Sequence, residues 1–232
     1  MKDMKIAPRF LLLILVLGFS LTSCKDNNRT LDVEERDLRL EEAESEEISE
    51  EIYRAKISSL NENVNEGRNV SGNVTLKIEG DELQITVEAS GLEPNMQHLQ
   101  HLHGMKNGTE TTCPDAAADK NNDGVVDIIE ATESAGITMI PFHGDPVNME
   151  IKTHSYPKTD AEGNFTYSQT VDLDSLRSAF KNKFGWEELD FSKFTYMVHG
   201  VEEGALPNTA ASVMDVPANV TIPVGCAKIS KE

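Results

Sequence analysis

The chain has 232 residues, 38% of them hydrophobic, and a formal net charge of −19 at pH 7. This length allows one or two domains, and the charge argues against nucleic acid, whose recognition needs basic patches. The charge also argues against docking on anionic lipid, and it makes cations the natural partners of the surface.

A short apolar run lies near the start of the sequence. Residues 10–19 are apolar and follow three basic side chains, Lys2, Lys5 and Arg9. The run is too short for a spanning helix and is typical of the core of a signal peptide. We therefore expect an exported protein.

The next four residues resemble a bacterial lipobox: Leu21-Thr22-Ser23-Cys24. In that family the peptide is cut before the cysteine and the thiol is acylated. The resemblance implies a lipoprotein signal peptide at residues 1–23 and a lipid anchor at Cys24, on a bacterial membrane in the cell envelope and facing outside the cytoplasm. An ordinary signal peptide with an incidental cysteine is the alternative. Removing residues 1–23, which carry three basic side chains and one acidic one, would change the net charge from −19 to −21.

Residues 24–52 are polar and strongly acidic. Nine glutamates fall between Glu34 and Glu51, with few aromatic residues and little apolar periodicity. Like charges repel and extend such a chain, so we predict a tether between the membrane and the domain, with some helix allowed by its Glu and Leu content. No later apolar run is long enough to span a membrane.

From Tyr53 onward, short runs alternate between apolar and polar residues, with turn residues between them. Such runs predict half-buried strands, and those at 70–79 and 83–88 predict a hairpin around Glu79-Gly80-Asp81-Glu82. The predicted strands are 53–59, 70–79, 83–88, 96–103, 165–171, 193–198 and 220–224. Several short strands of this kind predict an all-β domain at 53–232, an antiparallel sandwich or barrel.

Two stretches depart from the strand pattern. Asp174 precedes residues 175–183, which carry apolar side chains on one helical face and end at Gly185, so we predict one short helix capped by Asp174. Residues 115–140 are polar and rich in loop-forming residues, and we expect them to lie outside the core.

Three of the six histidines fall within six residues: His98, His101 and His103. Residues i and i+2 of a strand share a face, so His101 and His103 point the same way and His98 points to the other face. Imidazole suits copper, zinc, iron and nickel. A fourth histidine, His199, ends a predicted strand that can lie beside the His101 strand, and three imidazoles could then meet. A pair of surface histidines on a solvated strand face is the alternative.

If Cys24 carries lipid, two cysteines remain, Cys113 and Cys226. In an oxidising envelope two remaining thiols most simply form a disulfide, although two buried free thiols stay possible. The loop that this bond would close is long, and the chain-entropy model gives it a contribution of roughly 4–5 kcal/mol.

These histidine motifs resemble those of the copper/zinc superoxide dismutases. Gly91-Leu92 and the run from His98 to Gly104 are similar to the family signature, in which a structural histidine precedes two copper-ligand histidines at the same spacing. The run Tyr196-Met197-Val198-His199 resembles the family's late strand, which ends in another copper histidine. Cys113 and Cys226 follow these two motifs at about the family's intervals. The resemblance covers residues 53–229.

The resemblance implies a role for each matching residue. His101, His103 and His199 would be copper ligands, and His98 would be the structural histidine that steadies the site. Cys113 and Cys226 would form the family's intrasubunit disulfide. The implied fold is a Greek-key β-sandwich or barrel, here with an inserted loop and one short helix.

The chain also departs from the family pattern. The family has a histidine that bridges copper and zinc soon after the first cysteine, but the sequence has none between Cys113 and His143. Only His143, Asp145 and His154 remain as partial zinc candidates, so zinc is not expected. Pro223 replaces the arginine that draws superoxide to copper in the family. His143 or His154 could instead complete a copper site of another geometry.

A second metal motif follows Cys113. Residues 119–130 fit a twelve-residue EF-hand calcium loop: oxygen ligands at positions 1, 3, 5, 9 and 12, a glycine at 6, and an apolar residue at 8. The predicted ligands are Asp119, Asn121, Asp123, the carbonyl of Val125, Asp127 and Glu130. An acidic surface turn is the alternative. We expect calcium to fold the loop that zinc folds in the dismutases.

Three functions are compatible with these motifs. The first is a membrane-anchored, superoxide dismutase-like domain that binds copper and catalyses dismutation. The second is a non-catalytic copper-binding lipoprotein on the same fold. The third is a calcium-stabilised interaction module with vestigial histidines. The missing bridging histidine and arginine argue against efficient dismutation, so the sequence leaves enzymatic activity open.

Overall fold

The structure is a computed structural model that describes residues 49–232. The predicted signal peptide, Cys24 and most of the predicted tether lie outside the described residues, although β1 begins at Glu50, within the predicted tether. Within the described range, no helix is both long enough and apolar enough to cross a membrane. The strands are β1 (Glu50–Ser59), β2 (Ser71–Glu79), β3 (Glu82–Ser90), β4 (Leu99–Gly104), β5 (Ile137–Pro141), β6 (Phe165–Asp172), β7 (Thr195–His199), β8 (Pro223–Lys228) and β9 (Ser230–Lys231), and the α-helices are α1 (Ile128–Ala135), α2 (Leu173–Phe184) and α3 (Ala218–Thr221).

The strands form one curled antiparallel sheet. Their spatial order is β5-β4-β7-β8-β1-β2-β3-β6, and β9 pairs with β1. The alternating residues of β2 and β3 fill one face of the sheet, where Val74, Leu76, Ile85 and Val87 are completely buried. This architecture confirms the prediction of an all-β antiparallel domain, although it contains three short α-helices where one was predicted.

The hairpin between β2 and β3 forms as predicted. Glu79 pairs with Glu82, so the connection is the two-residue turn Gly80-Asp81. Gly80 has a φ of 59°, a left-handed conformation that glycine adopts without steric cost.

The strand predicted at 220–224 is present, but it begins three residues later than predicted. Residues Ala218–Thr221 form the short helix α3, and β8 begins only at Pro223. The β-branched residues of this stretch favour a strand locally, but tertiary contacts decide otherwise. Val201 donates to the carbonyl of Asn219, and Gly200 donates to the carbonyl of Ile222. These bonds tie the helical turn to the end of β7.

The predicted helix exists, but its cap is different. Helix α2 begins at Leu173, and Asp172 rather than Asp174 caps it by accepting from the backbone of Ser175 at 2.7 Å. The earlier start buries Leu173 along with Leu176 and Phe180. Gly185 ends the helix with a φ of 76°, as the sequence predicts.

The expectation that residues 115–140 lie outside the core is wrong. The stretch contains α1 and β5, and Met139 and Ile140 are completely buried. Ala131 and Ala135 of α1 join Met197 and Cys226 in a second apolar cluster. Because Met197 pairs directly with His101, and directly opposed residues share a face, this cluster and the histidines lie on the same face of the sheet. Helix α1 therefore covers the histidine-bearing face.

Candidate metal centre

Strands β4 and β7 bring three histidines together. They are antiparallel neighbours in which Leu99 faces His199 and His101 faces Met197. His101 is two residues beyond Leu99 and so lies diagonally from His199 on the same face. His103 continues that row, and one ring nitrogen from each of the three histidines lies within 4.8 Å of the others. Among residues 49–232 no other group of three His, Cys, Asp or Glu side chains meets this condition. The predicted trio is confirmed as a set placed to hold a metal ion.

Each ring of the trio uses one nitrogen in a hydrogen bond and leaves the other without a partner. Nε2 of His101 lies 2.9 Å from the hydroxyl of Tyr156, and Nδ1 of His199 lies 2.8 Å from the carbonyl oxygen of Thr221. Nε2 of His103 lies 3.4 Å from the hydroxyl of Thr138. The buried nitrogens without a partner are Nδ1 of His101, Nδ1 of His103 and Nε2 of His199. Buried polar atoms are rarely unpaired, and three in one cluster fit the donor set of a metal ion.

Burial keeps these three rings neutral. They are at most 3% exposed. Burial lowers the pKa of His103 to about 3 and that of His199 to about 4. Burial, followed by the proximity of His199 and His103, lowers the pKa of His101 well below its usual value. All three imidazoles are therefore in the form that binds a metal at neutral pH, and no proton has to leave first.

A small cavity of about 10 Å³ lies against two of the three rings. It is lined by Leu99, His101, Ile128, Thr138, His199, Val213, Met214 and Thr221. The lining is mostly apolar and contains no lysine or arginine. A larger cleft of about 550 Å³ lies beside residues 119–126 and touches none of the trio.

His98 lies just before β4, and both of its ring nitrogens contact backbone oxygens. Its Nδ1 is 2.9 Å from the backbone oxygen of His199, and its Nε2 is 3.0 Å from that of Glu93. The ring is completely buried. Gly200 allows this contact: its φ is +118°, and a Cβ there would lie 3.2 Å from Nδ1 of His98. His98 thus positions the backbone of a trio member without offering a ligand itself.

His143 does not join the trio. Its Nδ1 accepts from the backbone of Asp145 at 3.0 Å, so its Nε2 carries the proton and donates to the carbonyl of Glu150 at 2.6 Å. Both ring nitrogens are therefore occupied. The ring packs edge-on against Tyr156, whose other neighbour is His101. His154, the other candidate, is exposed, and its backbone carbonyl accepts from Gln97.

The acidic loop, residues 119–130, is folded by its own carboxylates. Asp119 accepts from the backbones of Asp123 and Gly124, and Asp123 accepts from that of Val125. Asp127 and Glu130 form a capping box at the start of α1. These contacts hold the loop in shape, and within the described residues no three carboxylates of the loop converge as closely as the histidine trio does.

Glu130 also closes the acidic loop. One of its oxygens accepts from the backbones of Lys120 and Asn121, while the other accepts from that of Asp127. The segment before the loop is a short 3-10 helix, Ala116–Ala118, rather than the long helix of a paired EF-hand.

The predicted disulfide is present. Cys113 and Cys226 are bonded across 113 residues of sequence. Cys226 lies in β8 and pairs with Met197 of β7. The bond therefore fastens the start of the stretch that leads to α1 to β8, the strand beside β7 and His199.

Three further residues at the site were not predicted from the sequence. Tyr156 lies in a long loop between β5 and β6, and Thr221 contributes a backbone oxygen. Met214 comes from a polar loop between β7 and β8. Tyr156 and Met214 belong to no periodic run or spaced motif, Thr221 lies in a run predicted as a strand, and only the folded chain places the three beside the histidines.

Comparisons with known proteins do not extend this picture. No protein-family model matches the sequence, and no curated protein shows significant similarity to it. The geometry of the trio is therefore the strongest indication of function.

Proposed function

We propose that this chain is a lipid-anchored envelope protein whose β domain holds a copper ion at His101, His103 and His199. The observation that carries the proposal is the trio itself: three buried neutral rings, each with one unpartnered nitrogen. Imidazole ligands suit several transition metals, and copper binds most tightly of the divalent first-row series. The lipid anchor rests on the lipobox resemblance at Cys24.

We further propose that the fold is of the copper/zinc superoxide dismutase type. A Greek-key arrangement places strands that are distant in sequence side by side. Strand β4 lies beside β7, β3 beside β6, and β1 beside β8. The disulfide between Cys113 and Cys226, and the contact from His98 to His199, support the same proposal because they match roles that the resemblance implies.

The function that we propose is copper binding. Superoxide dismutation is a second candidate activity, which an assay can test. Copper bound at the trio would supply one-electron redox chemistry. Against catalysis, the cavity at the trio is small and mostly apolar, and no cationic side chain lines it. Pro223 stands where the resemblance expects a guiding arginine. These features favour copper storage or scavenging over rapid turnover of a soluble anion.

Metal analysis and a superoxide assay separate these functions. Purified protein, exposed to equimolar copper, zinc, iron and nickel, should retain about one copper per chain. The His103→Ala variant should lose it, while His154→Ala, which removes an exposed histidine, should not. Copper without superoxide consumption above that of free copper would select storage. Retention of no transition metal by the native chain would contradict the proposal.

Calcium in the acidic loop is a separate part of the proposal. The loop supplies oxygen ligands at EF-hand spacing, and its C-terminal side enters α1 as an EF-hand loop does. A single loop of this kind would stabilise the fold rather than act as a sensor. Chelation with EGTA tests this part, since it should lower the stability of the domain if calcium is bound.

A further inference from the structure

A segment between β7 and β8 covers the open side of the trio. This covering segment, residues 201–217, contributes Val213 and Met214 to the lining of the small cavity. His101 and His199 face the same cavity from the sheet. Met214 and two of the three proposed copper ligands therefore share one space of about 10 Å³.

Met214 is unusual in two further respects. It is 40% exposed, and among residues 49–232 only Ile129 is another large hydrophobic residue of comparable exposure. Its backbone has a φ of +60°, and that of Asp215 is +55°. Left-handed backbone is costly for residues with a Cβ, and such conformations persist where the surrounding structure imposes them.

The covering segment is fastened just before Met214. Thr209 donates to a carboxylate oxygen of Asp123 at 2.6 Å, and the backbone of Ala211 donates to Asp127 at 2.7 Å. The hydroxyl of Ser212 lies 3.2 Å from that of Thr221, whose carbonyl binds His199. Met214 thus reaches the cavity from a segment tied to the acidic loop and to Thr221.

The chemistry of the lining singles out Met214. Its thioether is a soft donor, and soft sulfur ligands select Cu(I). The other groups that line the cavity, apart from the two histidines, are aliphatic side chains and the hydroxyls of Thr138 and Thr221. Hydroxyl oxygen is a hard donor and a poor ligand for Cu(I). Within the described structure, Met214 is the single sulfur donor on this cavity.

We propose that Met214 supplies a thioether ligand to Cu(I) held by His101, His103 and His199. This inference rests on the proposed copper site and specifies its preferred oxidation state. Three imidazoles alone accept Cu(II) and Cu(I), whereas an added thioether favours the reduced ion. The site would therefore hold copper in its reduced form, behind an apolar cover.

The Met214→Leu variant tests this assignment. Leucine keeps an apolar side chain of similar size over the cavity and removes the sulfur. Met105→Leu is the matched control, because Met105 is a partly exposed methionine that does not line the cavity. Each protein is loaded with Cu(I) under mild reductant that leaves the disulfide intact. Affinity is measured by competition with a Cu(I) chelator, and sulfur ligation by X-ray absorption at the copper edge.

We expect copper–sulfur scattering in the native chain and in Met105→Leu, and its loss in Met214→Leu. Cu(I) affinity should fall about tenfold or more in Met214→Leu, the usual scale for removing a group that supports a metal site, while Cu(II) affinity stays the same. An X-ray absorption spectrum of the Cu(I)-loaded native chain that shows nitrogen ligands only would contradict the Met214 ligand, but it would remain consistent with copper binding by the three histidines. A native chain that binds no copper in either state would overturn both proposals.

Discussion

The hydroxyl of Tyr156 lies 2.9 Å from Nε2 of His101, while Nδ1 of the same ring has no partner. A nitrogen that binds a metal must present its lone pair. With Nδ1 turned to the ion, the ring proton sits on Nε2 and is donated to the Tyr156 oxygen. Burial raises the pKa of Tyr156 well above its usual value, so this partner stays a neutral phenol. In the tautomer that binds a metal through Nδ1, Tyr156 therefore accepts the ring proton of His101.

Replacing Tyr156 by phenylalanine should weaken the metal site while preserving the fold. The ring keeps its edge-on contacts with His101 and His143, but Nε2 loses its acceptor. We expect metal affinity to fall about tenfold, as for other partners of metal-binding histidines. Competition titration measures the change. Tyr167→Phe is the control, since its hydroxyl binds the carbonyl of His143 and touches none of the trio; equal losses in both variants would argue against the tautomer role.

The metal-free domain should lose stability as pH falls from about 6.5 towards 4. In the unfolded chain the histidines take up protons near pH 6.5. In the folded chain, burial lowers the pKa of His199 to about 4 and that of His103 to about 3, so these rings stay neutral. The unfolded state then binds more protons, and the free energy of unfolding decreases by up to about 1.4 kcal/mol per pH unit for each ring.

Urea unfolding between pH 4 and pH 7.5 checks this slope. His103→Leu should flatten the profile, and His154→Leu should leave it unchanged because His154 is exposed. Carboxylates with lowered pKa values, such as Asp172, also stabilise the folded state. They lose this stabilising contribution only as the pH falls below about 4. If the free energy of unfolding of His103→Leu depends on pH as steeply as that of the native chain, the histidine trio is not the cause of the pH dependence.

Calcium should stabilise the acidic loop and the segment tied to it. Asp123 and Asp127, at positions 5 and 9 of the loop, also hold Thr209 and Ala211. We expect calcium at one hundred times its dissociation constant to raise the free energy of unfolding by about 2.7 kcal/mol and EGTA to reverse this. Asp119→Ala should abolish the response. Glu133→Gln, a change of an exposed carboxylate on α1, should retain it; a melting temperature indifferent to calcium in the native chain would remove calcium from the proposal.

Removing the disulfide should cost about 4–5 kcal/mol in the chain-entropy model, since the bond closes a loop across 113 residues. The double variant Cys113→Ser/Cys226→Ser avoids an unpaired thiol. Chemical denaturation of this variant and of the oxidised native chain measures the difference. Loss below 1 kcal/mol would show that the unfolded chain is not restricted by the bond as the model assumes.

The sequence predicted the parts of the site that depend on regular strands. His101 and His103 share a face because they are two residues apart, and His199 joins them once β7 lies beside β4. The spacing of the cysteines, together with the family resemblance, predicted their pairing. Most strands alternate between apolar and polar residues clearly enough to be located from that pattern alone.

Other features depend on contacts that no local pattern records. Helix α1 buries Ile128, Ala131 and Ala135, a helical spacing carried mostly by alanine, which gives only a weak hydrophobic signal. The cap of α2 moved to Asp172 because burying Leu173 adds apolar contact that the sequence alone does not show. Tyr156 and Met214 reach the trio through loops, whose paths are set by tertiary packing.

The central place of β1 in the sheet has a consequence for how the chain folds. Ser58 pairs with Cys226, Tyr53 pairs with Lys231, and the backbone of Glu232 donates to the carbonyl of Ile52. A strand near the start of the described residues thus pairs with residues more than 160 positions later in the sequence. Closing such distant pairs is slow, because the entropy of the intervening chain is lost before the contacts form. The sheet therefore cannot be completed until residues 223–231 have been synthesised.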